Sequence, residues 1–158
     1  MSTKVNPIPV GYEGATPCLC CEDADDAIEF YKRAFGATEI YRITMPDGAV
    51  DHAEIKIGGA TIMLSDEFPE HDSVSPDELG GTPVHKMIYV PDVDAFAARA
   101  IAAGAEVLEP AKDQFNGDRS CKLEDPAGHV WMFATRIEEV SPQEVVARAA
   151  KMFGGQTF

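Results

Sequence analysis

The chain has 158 residues, of which 45% are apolar and 25% charged, the balance of one ordinary globular domain. Its 27 acidic and 13 basic residues give a formal charge of −14, which argues against binding to nucleic acid or to an anionic membrane, because both require clustered Lys and Arg. No apolar run reaches the ~20 residues of a membrane span, and the first ten residues lack the pattern of a secretory signal, so we expect a cytoplasmic protein.

The first half of the chain predicts a strand, a helix and three further strands. Residues 1–14 are punctuated by Pro and Gly and predict an irregular arm. Residues 15–21 suit a strand, Asp23 has the position of a helix cap, and Gly36 fits the position just past the helix end. The remaining strand candidates of this half are residues 38–45, 50–57 and 60–65.

The cysteines are concentrated near the first strand. A disulfide framework would spread cysteines to close long loops, so we expect four free thiols in a reducing compartment, serving mainly as small apolar core residues. They are Cys18, Cys20, Cys21 and Cys121.

A polar segment rich in Pro, Gly, Ser and acid, residues 67–82, predicts a linker or lid between the halves. The pattern then restarts with a strand and with a helix that Asp92 caps and Gly104 ends. Ser141 and Glu144 have the spacing of a capping box for a last helix over 142–153, whose apolar stripe needs a partner surface. The strand candidates of this half are residues 84–90, 105–109, 118–124 and 129–135.

The two halves are an internal repeat with a constant offset along the chain. The offset that relates Thr16 to His85 also relates Met63 to Met132, so these residues are equivalent in pairs. The helix-ending glycines, at 36 and 104, are one position closer, so one residue is lost in the second helix. We therefore predict an α+β fold of two βαβββ modules, about 12–66 and 83–138, that form a curved mixed sheet around a cavity with helices outside, plus a C-terminal helix.

Several segments resemble the glyoxalase/bleomycin-resistance/extradiol-dioxygenase superfamily, also called the vicinal oxygen chelate fold. They are DADDAIEFYKRAFGA at 23–37, its echo at 92–105, GDR at 117–119 and DPAGHVWMF at 125–133. More narrowly, NPIPVGYEGATP, MPDG, HAE, IMLSDE, LGGTP and DPAGH resemble a subgroup of bacterial glyoxalase-like proteins related to one encoded with phosphonate-use genes. The likeness extends over about residues 5–150.

The resemblance implies a metal site with ligands from the first and last strand of each half. The equivalent positions here are Thr16, Met63, His85 and Met132, so only one of the usual His and Glu ligands is present. A catalytic divalent ion needs about three N or O ligands, and thioethers do not replace carboxylates for such ions. We therefore expect no metal and no cofactor.

His85 is the candidate catalytic residue, as a general base or hydrogen-bonding group, because its strand position is in phase with Met87 and Tyr89 and should face the cavity. The alternative is a histidine paired with a neighbouring group. The predicted ligand-binding residues are Thr16, Met63, Phe68, Tyr89, Phe115, Arg119 and Met132.

Arg119 is the candidate for holding a ligand carboxylate, phosphonate or carbonyl, because it follows Gly117 and Asp118 at the mouth of a strand. The alternative is an ion pair with a nearby acid such as Glu124 or Asp125. Phe68, an aromatic residue in a polar stretch, suits a lid over this opening.

The remaining histidines and sulfur-containing residues allow further interpretations. His52 and Glu54 share a strand face and form either paired groups near the cavity or part of a solvated face, whereas His71 and His129 suit surface positions. A soft cluster suits either Cu(I) or a pocket wall filled by methionine. Its members would be Cys18, Cys20, Met63, His85, Met87 and Met132.

Two functions therefore stand side by side. The first is a metal-free small-molecule-binding protein, like the drug-sequestering members of the superfamily. The second is a lyase, isomerase or dioxygenase-type enzyme, either metal-dependent through unconventional ligands or using His85 as base with Arg119 at an oxyanion. In either case we expect a homodimer with each cavity near the interface, because the half-domain sheets have open edges and related proteins commonly pair.

Overall fold

Two runs of strand, helix and three strands occupy residues 18–66 and 85–136 of the computed structural model, which describes residues 5–154. The predicted α+β fold with a C-terminal helix is confirmed. The strands are β1 Cys18–Cys21, β2 Thr38–Thr44, β3 Val50–Ile57, β4 Ala60–Asp66, β5 His85–Tyr89, β6 Glu106–Asp113, β7 Asp118–Glu124 and β8 Val130–Arg136. The helices are α1 Ala24–Phe35, α2 Pro76–Leu79, α3 Val93–Ala103 and α4 Pro142–Phe153.

The ends of α1 and α3 follow the predicted signals. The Asp23 carboxylate accepts a hydrogen bond from the Asp26 amide at 2.9 Å, and the Asp92 carboxylate accepts one from the Ala95 amide at 3.0 Å. Both helices end at a glycine with positive φ, a conformation that costs glycine little because it lacks a Cβ.

The sheets repeat the same strand order, β1-β4-β3-β2 and β5-β8-β7-β6. Cys18 lies opposite Met63 in the first sheet and Met87 opposite Met132 in the second, so the offset of the repeat holds in the strand register. Glu54 lies opposite Met63 in the first sheet, and Lys122 lies opposite Met132 in the second, so Glu54 and Lys122 are equivalent. Their offset along the chain is one residue shorter than that of the methionines, because the second helix is shorter.

One hydrophobic core joins the modules, with α1 and α3 packed against each other. Phe35 of α1 stacks on Phe96 of α3 and contacts Trp131 and Phe133 of β8. Trp131 and Phe133 are fully buried beneath the helices, as their alternation with Met132 predicts. The sheet side chains in phase with Met63 and Met132 therefore point away from this core, and we call these two surfaces the outer faces.

The outer faces explain why only one of the three clustered cysteines is buried. Cys21 is inside with Leu19, whereas Cys18 is exposed and Cys20 half-buried, because alternate residues of a strand point to opposite sides. The prediction of cysteines as core residues thus holds for Cys21 and Cys121 and is wrong for Cys18. Burial raises the pKa of the Cys121 thiol.

The segment between the modules is more ordered than its composition suggests. It contains a 3-10 turn over Pro69–His71, a bridge between Phe68 and Ser73, and the short helix α2. The Glu67 carboxylate accepts a hydrogen bond from the Ser75 amide at 2.6 Å, which fixes the start of α2. Within residues 5–154, no helix is long and apolar enough to cross a membrane.

The C-terminal helix α4 is attached mainly by polar contacts. The Ser141 hydroxyl accepts a hydrogen bond from the Glu144 amide at 3.2 Å, as predicted, and Arg148 pairs with Glu138 at 2.6 Å. Phe153 packs edge-on against Phe115, at 6.2 Å between ring centroids. The rest of its apolar stripe is largely open, with Val146 and Met152 exposed.

Candidate functional site

Thr16 and His85, which are equivalent in the repeat, line the same groove of about 600 Å³ between the modules. Thr16 lies just before β1 and is half-buried, whereas His85 begins β5 and is exposed. Met87 of β5 also lines this groove. The other lining residues belong to the arm before β1, to the turn and first residues of β4, and to the start of β5. They are Gly11, Glu13, Gly14, Ala15, Pro17, residues 59–62, Val84, Lys86 and Ile88.

Met63 and Met132 are half-buried on the outer faces of different sheets and are outside the lining of this groove. Met132 is nevertheless near His85, because His85 pairs with Val130 and Met87 pairs with Met132 on adjacent strands. The Met63 sulfur is 3.7 Å from the Cys18 thiol. Met63 is related to Thr16 as Met132 is related to His85, because Cys18 pairs with Met63 in the first sheet, so each methionine lies near the equivalent residue of its own module.

These donors do not fit a divalent metal ion. Threonine offers a neutral hydroxyl, methionine a weak thioether, and His85 a single imidazole, whereas a catalytic site needs about three N or O ligands. In the described part of the chain, no group of three or more His, Cys, Asp or Glu side chains is placed to hold a metal ion.

A carboxylate lies next to Met63, but its oxygens are already engaged. Glu54 is 4% exposed and accepts hydrogen bonds from the Tyr41 hydroxyl at 2.7 Å, from the Tyr12 hydroxyl, and from His52 Nε2 at 3.1 Å. Tyr12 belongs to the arm before β1, which therefore folds over the outer face of the first sheet. His52 and Glu54 are thus paired groups and not a solvated face.

The three donors decide the charge state of Glu54. Burial raises the pKa of this carboxyl, but the hydrogen bonds from Tyr12, His52 and Tyr41 outweigh burial and leave the pKa below its ordinary value. A carboxyl with a lowered pKa stabilises the fold above its unfolded pKa, and that stability is lost as the pH falls through the folded pKa.

We expect Glu54→Gln to lower the free energy of unfolding by roughly 1–3 kcal/mol at pH 7, because a buried acceptor of three hydrogen bonds loses its charge. The difference from the unaltered protein should shrink below about pH 4, where the carboxyl of the unfolded chain is protonated. Urea unfolding at both pH values measures this. Glu106→Gln, on exposed β6, is the matched control, and an equal loss at both pH values would contradict the account.

Arg119 is bound by acidic neighbours. Its guanidinium donates to both oxygens of Asp94, at 2.7 and 2.9 Å, and to Asp113 at 2.8 Å, and these bonds join the first turn of α3 to the end of β6. The contact with Asp94 is bidentate, the geometry that suits a guanidinium and a carboxylate. A ligand carboxylate would have to compete with these two partners.

The other predicted ligand-binding residues are placed apart from each other. Phe68 forms the bridge in the linker, Phe115 packs on Phe153, and Tyr89 lies on the outer face of the second sheet. The Tyr89 hydroxyl donates to Asp118 Oδ2 at 2.6 Å, which raises the pKa of Tyr89. The other oxygen of that buried carboxylate, Asp118 Oδ1, has no hydrogen-bond partner within residues 5–154.

Three buried polar residues were not predicted from the sequence. His129 was expected at the surface, but it is 7% exposed because its Nε2 donates to the Cys20 carbonyl at 2.8 Å. Asp125, beside it, is 4% exposed and accepts from Tyr31 and Trp131. Lys86 is 7% exposed, although its neighbours His85 and Met87 face outward. Asp125 and His129 both belong to DPAGH, and strand period turns Lys86 inward, but neither signal indicates the partners of these side chains.

Comparisons with known proteins identify the arrangement. The family model described as the Glyoxalase/Bleomycin resistance protein/Dioxygenase superfamily matches residues 15–133. An uncharacterized protein of Mycobacterium tuberculosis is 41% identical over 143 residues, which cover 89% of this chain and 84% of that protein.

Two solved structures illustrate the likeness in three dimensions. TioX from Micromonospora sp. ML1 has a TM-score of 0.62 at 27% identity, covering 82% of this chain and 100% of that one. The fosfomycin resistance protein FosX from Listeria monocytogenes, solved with Mn(II) and sulfate, has a TM-score of 0.61 at 21% identity, covering 87% and 98%. At that identity FosX supports the fold alone.

Proposed function

This chain belongs to the glyoxalase/bleomycin resistance/dioxygenase superfamily, and on that premise we propose that it binds a small organic molecule without a divalent metal ion. The observation that carries the proposal is the donor set at the four equivalent positions, two thioethers, one hydroxyl and one imidazole, in place of the usual His and Glu. Because the fold forms the cavity, a chain that has the fold but lacks the usual metal ligands can still bind a small molecule. It cannot carry out the metal-dependent chemistry.

The groove between Thr16 and His85 has the size and surface of a small-molecule site. Its volume, about 600 Å³, is within the range of ligand pockets, and its walls combine apolar side chains with the His85 imidazole and the Thr16 hydroxyl. Polar groups also lie on the outer face of the second sheet, where the Tyr89 hydroxyl donates to Asp118 Oδ2 and the Arg136 guanidinium is 3.8 Å from Asp118 Oδ1.

An enzyme that uses His85 as general base is the second candidate, because the imidazole lines the same groove and its ring nitrogen can accept a proton from a bound molecule. Arg119 would contribute to such an enzyme only after release from Asp94 and Asp113. The proposed binding protein needs neither proton transfer by His85 nor release of Arg119 from its carboxylates. We propose the cytoplasm as its compartment, on the sequence argument alone.

A screen of small carboxylates, phosphonates and aromatic antibiotics by thermal shift tests the proposed function. Phosphonates come first because of the proposed relationship to the phosphonate-use subgroup. A hit should bind His85→Ala about 2- to 10-fold more weakly, the loss expected for one neutral hydrogen bond, with His71→Ala as exposed control. A hit that binds all three proteins equally would remove His85 from the site.

Arg119→Ala separates the two interpretations of the arginine. Because Arg119 joins α3 to β6 through two carboxylates, we expect the variant to melt at a lower temperature with the affinity for a hit unchanged. The same thermal-shift series measures both quantities. An unchanged melting temperature with weakened binding would instead place the guanidinium on the ligand.

We further propose that two copies of the chain associate through the outer faces. These faces expose large apolar side chains, Tyr41 and Ile43 on the first sheet and Met87 and Tyr89 on the second, next to the exposed His85. A partner that covers them would also enclose the groove. Light scattering at micromolar concentration should give the mass of two chains, and the mass of a single chain would contradict this.

A further inference from the structure

Lys86 is a buried lysine without a close polar partner. It is 7% exposed, and within residues 5–154 its side chain forms neither a hydrogen bond nor an ion pair. Its ammonium nitrogen lies 4.7 Å from the centroid of the Trp131 ring, which is the contact that holds it. Lysine is rarely buried to this degree unless it is paired with a carboxylate.

The nearest buried carboxylate is already saturated. Asp125 Oδ2 accepts from the Tyr31 hydroxyl and the Trp131 indole, and Oδ1 accepts from the amides of Ala127 and His129, at 2.6 to 3.0 Å. Asp125 therefore acts on Lys86 only at a distance. Burial lowers the pKa of Lys86 to about 8, although the charge of Asp125 opposes this shift.

Lys86 lines two grooves, the one that contains Thr16 and His85 and a second one of about 280 Å³ beneath the linker. The second groove has mostly apolar walls, supplied by β1 and by the linker between residues 74 and 84, and its other polar side chains are Thr82 and His129. Because Nε2 of His129 donates to the Cys20 carbonyl, that imidazole presents Nδ1 as an acceptor. The second groove thus combines a small apolar space with an unpaired amine.

We propose that Lys86 forms a reversible imine with a small neutral aldehyde or ketone bound in the second groove. The amine nitrogen attacks the carbonyl carbon, and a C–N bond forms as the carbonyl oxygen takes a proton. The amine nitrogen gives up both of its protons, one that ends on the carbonyl oxygen in the carbinolamine and one that leaves with that hydroxyl as water, so the C=N bond forms with no change of oxidation state. This site is separate from the proposed function and does not depend on it.

The surroundings favour a neutral carbonyl compound over an anion. The negative charge of Asp125 acts on the amine from a distance, and the negative charge of Asp77 acts on His129. The chain as a whole carries a net charge of −14. An anion would meet these charges on entry, whereas an uncharged aldehyde with an apolar body gains from the apolar walls.

Reductive trapping with propanal and cyanoborohydride at pH 7 tests the proposal. With a pKa of about 8, Lys86 has a neutral fraction roughly 200 times that of an ordinary lysine, so it should be alkylated ahead of the other lysines despite its burial. The α-amino group of the chain has an ordinary pKa of about 8 and also reacts early, so the label is counted on the Lys86 peptide alone. Peptide mass spectrometry locates the group. Labelling confined to exposed lysines, or labelling of Lys86 only in denaturant, would overturn the proposal.

Two variants keep the result interpretable if folding changes. Lys86→Arg retains the positive charge and the stacking on Trp131 but removes the nucleophilic amine, so it should lose the rapid label. Lys112→Arg, at an exposed site on β6, should retain it. Circular dichroism establishes that both variants are folded. Rapid labelling of a lysine side chain that persists at the same rate in folded Lys86→Arg would assign it to another lysine and overturn the proposal.

Discussion

Replacing Asp125 with alanine is expected to lower the free energy of unfolding by about 3–5 kcal/mol. The carboxylate is 4% exposed and accepts four hydrogen bonds, from the Tyr31 hydroxyl, the Trp131 indole and two backbone amides of its own turn. Alanine would leave all four donors buried without an acceptor, and each such donor costs about 1–3 kcal/mol before relaxation. Because Tyr31 belongs to the first module and Trp131 to the second, the variant loses hydrogen bonds that hold the two modules together.

Urea unfolding measures this effect, with Asp51→Ala at an exposed position of β3 as the matched control. Asp125→Asn should cost less than alanine, because its amide oxygen still accepts from the turn. It should still be destabilising, because the amide NH2 group then faces the indole NH of Trp131. A loss below about 1 kcal/mol for alanine would mean that water replaces the carboxylate and that the network does not join the modules.

Restoring the missing ligands should create a metal site. In the double variant Thr16→His with Met132→Glu, the two new side chains join His85, which shares a groove with position 16 and lies diagonal to position 132 across β5 and β8. We expect binding of Ni²⁺ or Mn²⁺ at least about 100-fold tighter than in the unaltered chain, tenfold for each added ligand.

Isothermal titration calorimetry measures that gain, and Thr16→His alone is the control because it provides only two imidazoles. The double variant should bind one ion per chain. If its affinity equals that of the single variant, position 132 does not face the same space as His85, and the assignment of equivalent positions fails.

The fold could be predicted because its signals are local and repeated. Asp23 and Asp92 cap helices through their own side chains, and the glycines at 36 and 104 end them, so each boundary depends on a few neighbouring residues. The constant offset of the repeat then fixed the second module from the first. The linker was less predictable, because the bridge at Phe68 depends on its pairing with Ser73.

The site was harder to predict because burial depends on distant contacts. Nothing near His129 in the sequence indicates that its imidazole would donate to the Cys20 carbonyl, 109 residues away. From the sequence, Glu54 suits a solvated strand face, because nothing near it indicates that Tyr12 of the distant arm donates a hydrogen bond to its carboxylate. Lys86 alternates with outward-facing residues, so its inward direction follows from strand period, but its lack of an ion pair does not.

The metal content of the protein purified without chelators tests the central claim most directly. After dialysis against metal-free buffer, elemental analysis of the unaltered chain should find well below one equivalent of Ni, Zn, Fe or Mn. The double variant, loaded with Ni²⁺ or Mn²⁺ and dialysed in parallel, should retain about one. That result would support binding of a small molecule through the His85 and Thr16 side chains without a metal ion. One equivalent of a transition metal in the unaltered chain would contradict the metal-free account and place the ligands elsewhere in the protein.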